Sequence, residues 1–254
     1  MSDKNSDKQL KVLFLDIETT PNLGYCWGKY EQNIIQFEKE SHMLCFTAKW
    51  LGSNKTIIYG LPDFPDYEKN KESDKELVRK LWDLLDEADI VVAHNGDSFD
   101  IKKTNARLVV NGLNPPSPYR TVDTKKVAKK HFMFNSNSLN DLGQLLGLGK
   151  KLPTGGFKLW LDCMAGDLNA WKKMKSYNKQ DVLLLEKVYL KLRSWTKNHP
   201  NVGVNISKET CHICGSSNIQ KRGFNYCKVT KYQRYHCKSC GGWSQGSIEK
   251  IVYE

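Results

Sequence analysis

Near the C-terminal end of the 254-residue chain, the pattern Cys-x-x-Cys-Gly occurs twice: Cys211-His212-Ile213-Cys214-Gly215 and Cys237-Lys238-Ser239-Cys240-Gly241. No other local feature restricts the fold so tightly. Two thiolates three positions apart, followed by a glycine that permits a tight turn, make half of a tetrahedral metal site, and the gap between the pairs fits a four-cysteine zinc centre. Disulfides would need an oxidising compartment. Nothing points to one, because the polar stretch Met1–Lys11 runs straight into a short apolar segment and does not read as a signal peptide. The expectation is a cytoplasmic protein with one structural Zn²⁺ on Cys211, Cys214, Cys237 and Cys240, in a zinc ribbon. Cys227, His212 and His236 are read as bystanders, and the scattered Cys26, Cys45 and Cys163 as apolar residues. A module this small owes most of its stability to the metal.

The rest of the chain is a different kind of sequence. A hydrophobic content of 39% and a charged content of 26% describe a globular chain. A mean hydropathy of −0.58 and the lack of an 18-residue apolar run exclude a membrane span. Lys11–Glu18 is an apolar run of strand length, and further strands are expected near 33–37, 44–51, 56–59, 90–93 and 119–122. Ser73-Asp74-Lys75-Glu76 reads as a capping box ahead of a helical stripe from Leu77 to Ala88, and Ser138 as the cap of a helix carrying Leu139, Leu142, Leu145 and Leu146. Residues 101–110 read as a helix, 62–71 and 147–156 as loops. A long helix begins at Leu168 or Ser176 and reaches Trp195. The order predicts an α/β layer with a mixed sheet and flanking helices, then a linker and the cysteine module. The expected divisions are a polar tail at 1–9, a main domain at 10–196, a linker at 197–208 and the small domain at 209–254.

Three positions in the main domain carry chemistry. Asp16 and Glu18 end the first strand, and their spacing of two puts both carboxylates on one face. Adjacent acids repel unless a cation holds them, so the pair favours a divalent metal. Asp66/Glu68 and Asp74/Glu76 share the spacing but have no buried strand behind them. Asp100 follows the second buried strand, where α/β sheets place ligand-binding groups, and Asp97 competes with it. Tyr177 and Asp181 lie one helical turn apart on a face that continues through Leu185, Val188, Leu192 and Trp195, which would aim both at the sheet. The same spacing at Tyr59/Asp63 falls in a loop, and at Tyr119/Asp123 in extended chain.

In this order, Leu15-Asp16-Ile17-Glu18-Thr19-Thr20, His94-Asn95 through Phe99-Asp100, and Tyr177 through Asp181 resemble the three motifs of the tyrosine-bearing branch of the DEDD 3′–5′ exonucleases. The texture around them, including Ser138–Leu142 and Gly149-Lys150-Lys151, is most similar to the exonuclease domain of family-B DNA polymerases. The resemblance covers roughly residues 10–196 and implies a ribonuclease H-like fold. It implies two Mg²⁺ or Mn²⁺ ions, with Asp16 bridging both, Glu18 and Asp181 on the nucleophile side, and Asp100 on the other ion directly or through water. Tyr177 would orient the attacking water, since a phenol of pKa near 10 is a poor base at neutral pH. Thr19 and Asn95 would contact the 3′-terminal nucleotide. No polymerase segment follows, so a stand-alone nuclease is expected.

A net charge of +11, carried by many lysines and few arginines, favours sequence-nonspecific contact with a nucleic-acid backbone, and the resemblance puts DNA ahead of RNA. Residues 201–254 hold eight basic and three acidic residues, and Tyr226, Tyr232, Tyr235 and Trp243 interleave with the cations, a pattern that fits either single-strand binding or aromatics covering a very small core. Two other readings stay open: a ribonuclease H-like endonuclease or transposase-type nuclease, and a non-catalytic binding protein on an exonuclease fold.

Overall fold

The computed structural model describes residues 10–30, 33–204 and 209–250. The expected tail at 1–9, and residues 205–208 and 251–254 of the expected linker and ribbon, lie outside the described residues. In chain order come β1 (Val12–Thr19), a hairpin of β2 (Leu23–Tyr25) and β3 (Gln36–Lys39), β4 (Met43–Trp50), β5 (Ile57–Gly60), α1 (Lys75–Glu87), β6 (Ile90–Ala93), α2 (Asp100–Val110) and β7 (Arg120–Asp123). Helices α3 (Thr124–His131), α4 (Leu139–Leu145), α5 (Lys158–Ala165) and α6 (Leu168–Leu192) follow, then strands β8 (Ile219–Tyr226), β9 (Thr230–Cys237) and β10 (Trp243–Lys250).

The main sheet has the order β5-β4-β1-β6-β7. β1 runs parallel to β6 and antiparallel to β4; β6 is parallel to β7 and β4 antiparallel to β5, so the sheet is mixed. β1 is central and apolar on both faces, as a strand covered by helices on both sides must be. Its alternation divides two cores: Leu13, Leu15 and Ile17 join one cluster with β4, α1 and α5, while Val12 and Phe14 join the other with β6, α3 and α4. Asp16 and Glu18 continue the Val12–Phe14 face beyond its apolar part. Helix α6 spans both cores. Ala170, Trp171 and Met174 enter the first, and Val182 through Leu192 the second. Tyr177, Asn178 and Asp181 lie at the crossing.

Several local expectations differ. The capping box at Ser73–Glu76 does not form. Asp74 is the N-cap residue of α1 but makes no side-chain cap bond. Its carboxylate is turned inward, taking a bidentate pair from Arg107 (2.7 and 2.8 Å), a bond from Asn111 (2.9 Å) and the Met43 N–H (2.9 Å). A buried bidentate ion pair outweighs one local cap bond. Trp195 leaves the α6 stripe: the helix tightens to a 3₁₀ turn at Arg193–Trp195, and the indole is exposed against Phe132. Helices α3 and α5 fall where no helix was expected, and two 3₁₀ turns, Leu61–Asp63 and Pro65–Glu68, occupy much of the expected loop at 62–71.

Beyond α6 the chain stays packed. His199 Nε2 lies 2.8 Å from the Tyr189 hydroxyl, Val202 is buried in the second core, and the Val202 N–H donates to the His212 carbonyl (2.9 Å). The antiparallel sheet β10-β9-β8 follows. Of the module's aromatics, Tyr235 follows the core-covering reading: it is buried and donates to Glu209 (2.6 Å), because it shares the inward face of β9 with Cys237. Among the described residues no helix is long and apolar enough to cross a membrane.

Candidate metal-binding active site

β1 and α6 bring the acids together. Asp16, Glu18 and Asp181 offer carboxylate oxygens that all lie within 4.8 Å of one another. The platform is rigid: Asp16 pairs across the sheet with Thr47 and Glu18 with Cys45, and a register shift follows between Glu18 and Thr19. A bulge at a strand end re-aims side chains, here where the strand leaves the sheet. Asp100 opens α2 after β6, is buried, and accepts the Ile17 N–H at Oδ1 (3.1 Å), which ties the second acid-bearing segment to β1. Asp97 is separated from this group by its pairing with Lys126 at 2.8 Å, so Asp100 is the acid the fold brings in.

The electrostatics show crowding. Burial pushes Asp16 well above the usual carboxylate range, and the charges of Asp100, Glu18 and Asp181 add to it. Glu18 is pushed up to about 8 by burial and then by Asp181. Burial carries Asp100 up to about 7 against two backbone hydrogen bonds, and Asp181 is also raised, mainly by burial. Four acids that resist ionising together are poised to take a cation. Asp181 Oδ1 is buried and accepts no hydrogen bond. An all-oxygen set with an open buried acceptor suits hard divalent ions such as Mg²⁺ or Mn²⁺.

Two residues not picked out from the sequence complete the cluster. Lys151 reaches in from the loop before α5, with Nζ 2.7 Å from Asp181 Oδ2 and donating to the Tyr177 hydroxyl at 2.9 Å. Burial alone would lower its pKa, but Asp181 outweighs burial and holds it above the ordinary lysine value. Asn178 is fully buried and donates to Asp16 Oδ2 at 2.6 Å. A polar residue three positions before Asp181 on the buried face of a helix was the available signal for Asn178. Lys151 stood in the sequence only within Gly149-Lys150-Lys151 of the family resemblance, with no role attached. Tyr177 packs edge-on to Trp160, with ring centroids 6.4 Å apart, and burial raises its phenol above the ordinary value.

The remaining candidates are less central. Thr19 follows Glu18 at the register shift and is half-buried. Asn95 is the one non-glycine residue with positive φ (67°) among those described, and its N–H donates to Asp123 Oδ1 (3.0 Å) rather than to any of the four acids. His94 lies between Thr124 Oγ1 (2.9 Å) and the Asn137 carbonyl (3.0 Å), and burial pushes it down to about 4. The competing Tyr/Asp spacings are accounted for elsewhere. Tyr59 packs on Phe46 and Phe64 while Asp63 accepts from the Gly60 N–H, and Asp123 caps α3.

The cysteine group is separate. Cys211 and Cys240 sulfurs are 3.7 Å apart, Cys214 and Cys237 3.6 Å, and all four lie within 4.8 Å of one another. Zn–S bonds of about 2.3 Å in a tetrahedron require sulfurs roughly 3.8 Å apart, so the set fits Zn²⁺. Gly215 (φ 72°) and Gly241 (φ 73°) take the left-handed conformation that closes each knuckle, their N–H groups donating to Cys211 and Cys237 carbonyls. Cys227 is exposed outside the group, and His236 stacks on Trp243 instead.

A family model described as the RNase_H superfamily matches residues 13–193. Among solved structures, the fold is similar to that of the family B DNA polymerase from the hyperthermophilic archaeon Pyrobaculum calidifontis, with a TM-score of 0.56 at 15% identity. The match covers 74% of this chain and 25% of that one, so the chain spans about a quarter of the polymerase, and at that identity the likeness is one of fold. No curated protein matches the chain.

Proposed function

The chain belongs to the RNase H superfamily, and from that premise we propose that it is a divalent-metal-dependent 3′–5′ exonuclease of the tyrosine-bearing DEDD type, with single-stranded DNA its preferred substrate. The observation that carries this reading is the convergence of Asp16, Glu18 and Asp181 oxygens within 4.8 Å, with Tyr177 one turn before Asp181. The polymerase likeness supports it at the level of fold.

In this reading Asp16, Glu18 and Asp181 would hold the nucleophile-side metal, and Asp16 with Asp100, directly or through water, would hold the other. Two bound Mg²⁺ or Mn²⁺ ions would supply Lewis-acid stabilisation of the phosphodiester oxygens and a water acidic enough to attack at neutral pH. Tyr177 keeps its proton at that pH and orients the nucleophile as a hydrogen-bonding group, not as a base. Lys151 holds Tyr177 and Asp181 in one geometry and offsets part of the carboxylate charge. Asn178 fixes the rotamer of Asp16. Thr19 and Asn95 contact the terminal nucleotide. The four cysteines hold one structural Zn²⁺, giving a ribbon that grips substrate without sequence preference.

The test uses 5′-labelled linear and closed circular single strands, as DNA and as RNA, with Mg²⁺ or Mn²⁺. The expected result is a ladder shortening from the 3′ end of linear DNA, with circles intact. Asp16→Ala should lose at least ~10³-fold, the scale for removing a principal electrostatic stabiliser. Cleaved circles would establish the endonuclease reading instead, and no cleavage of any substrate by the metal-loaded protein would establish the binding-protein reading.

A further inference from the structure

The sheet of the cysteine module has two unlike faces. Strand alternation sends Tyr235 and Cys237 inward, so Arg234 and His236 point the other way. Their partners across the ladder are Gln245 and Trp243, which share that outer face. The outer face does not open onto bulk solvent alone. Residues 196–201, held to α6 through His199 and Tyr189, form an opposing wall, and between the two lies a cleft of about 450 Å³.

The chemistry of this cleft is specific. Trp243 remains about half exposed (53%), with the His236 ring 4.8 Å from its centroid and the Arg234 guanidinium 5.7 Å from it. That arrangement holds the indole in place while leaving surface open. Arg234 and Lys197 are exposed cations on opposite walls, and neither has an ion-pair partner among the described residues. Among the described residues no carboxylate lines the cleft, whereas the adjoining cavity of about 440 Å³ includes Glu209. The Thr196 hydroxyl on the cleft wall is buried without a hydrogen-bond partner. A half-open aromatic face beside Arg234, with Lys197 on the facing wall of a cleft of small-ligand size, matches one kind of occupant: a base for the ring and phosphates for the cations.

We propose that this cleft is a second nucleic-acid site, which seats one nucleobase of a single strand on Trp243 and its flanking phosphates on Arg234 and Lys197. It extends the reading of the protein as a nucleic-acid enzyme but does not depend on hydrolysis. An anionic protein surface would use the cations without needing the ring, and this separates the two outcomes.

The test measures binding of the full chain, zinc retained and no Mg²⁺ or Mn²⁺ added, to a fluorescein-labelled, 3′-blocked oligothymidylate by anisotropy. Trp243→Ala should weaken binding about tenfold, the lower end for loss of one base stack, while Trp243→Phe keeps most of it. Arg234→Ala should lower the slope of log K against log salt by about one. Zinc content and the circular-dichroism spectrum of each variant show whether the module is folded. Trp27→Ala, at an exposed ring outside the cleft, should change nothing. The proposal is overturned if folded, zinc-loaded Trp243→Ala binds as the parent does, or if Trp27→Ala weakens binding equally. It is also overturned if Trp243→Ala weakens the binding of inorganic polyphosphate, read by competition, as much as that of the oligonucleotide, since the ring then holds no base. Because binding alone is read, an inactive Asp16→Ala protein that still binds through Trp243 leaves the cleft standing whatever becomes of the exonuclease reading.

Discussion

At the scale of single residues, the site is a balance between four crowded carboxylates and one ammonium. Tyr177 meets this balance through its hydroxyl, which Lys151 donates to. Tyr177→Phe keeps the ring on Trp160 and removes only that hydroxyl, so kcat should fall roughly 10- to 10³-fold with metal affinity little changed. A variant with unaltered kcat would remove Tyr177 from the mechanism. The raised pKa values carry a stability consequence of definite sign. Glu18 near 8 and Asp100 near 7 in the folded chain lie above ordinary carboxylate values. The folded state therefore binds more protons than the unfolded state between the two sets of values, and stability falls as pH rises through that window. Without Mg²⁺ or Mn²⁺, the melting temperature should drop between pH 5 and pH 8, and Glu18→Gln should flatten the drop. Adding Mn²⁺ should raise the melting temperature more at pH 8 than at pH 5, since it binds the ionised acids. An Mn²⁺ increment independent of pH would mean that these carboxylates do not share the ion.

At the scale of elements, the site depends on how α1, α2, β4 and α6 are fastened around β1. Asp74 ties the start of α1 to Arg107 and Asn111 near the end of α2 and to the first residue of β4. Its side chain is fully buried, and its charge is held below the ordinary range despite burial because Arg107 and further donors from Met43 and Asn111 face it. Asp74→Ala leaves a largely buried guanidinium unpaired, and urea unfolding should show a loss of about 3–5 kcal/mol. A loss under ~1 kcal/mol would show that apolar packing alone sets the α1–α2 arrangement. The same residue shows where sequence reading stops. Ser73–Glu76 has the letters of a capping box, and only the distant Arg107 decides that Asp74 turns inward. β6 was legible at its observed bounds because four buried aliphatic residues between polar flanks admit little else. Asp16 and Glu18 were legible because a strand fixes side-chain direction by parity. Helix α3 was not, since Val127 and Ala128 among lysines are too few to show a helical period, and its start is set by Asp123 at the end of β7. The role of Lys151, named in the sequence only within Gly149-Lys150-Lys151, was not, because its position in the site follows from the path of a glycine-rich loop.

At the scale of the whole molecule, the question is what the cysteine module does for the RNase H-like body. The two are joined by more than a tether: Val202 fills a place in the second core, and its N–H meets the His212 carbonyl. A deletion of everything after residue 200 therefore confuses two effects, since it removes an apolar side chain from the main core as well as the module. Losing that burial costs about 1.5–3 kcal/mol. A chain ending at residue 204 keeps Val202 and frees its N–H to water. Thermal melts should place the 1–204 protein well above the 1–200 protein, and only the former is fit for kinetics. The module supplies none of the four acids and carries a net +5, so its contacts are made equally with substrate and transition state. Such contacts alter KM and leave kcat alone. The 1–204 protein should then show a raised KM and a flatter dependence of binding on salt, because fewer lysines and arginines displace counterions from the strand. Its single-turnover rate at saturating substrate should match that of the full chain. A folded 1–204 protein with unchanged KM and salt slope but a collapsed rate would place the module in the chemistry itself, and the proposed division of labour between grip and cleavage would fall.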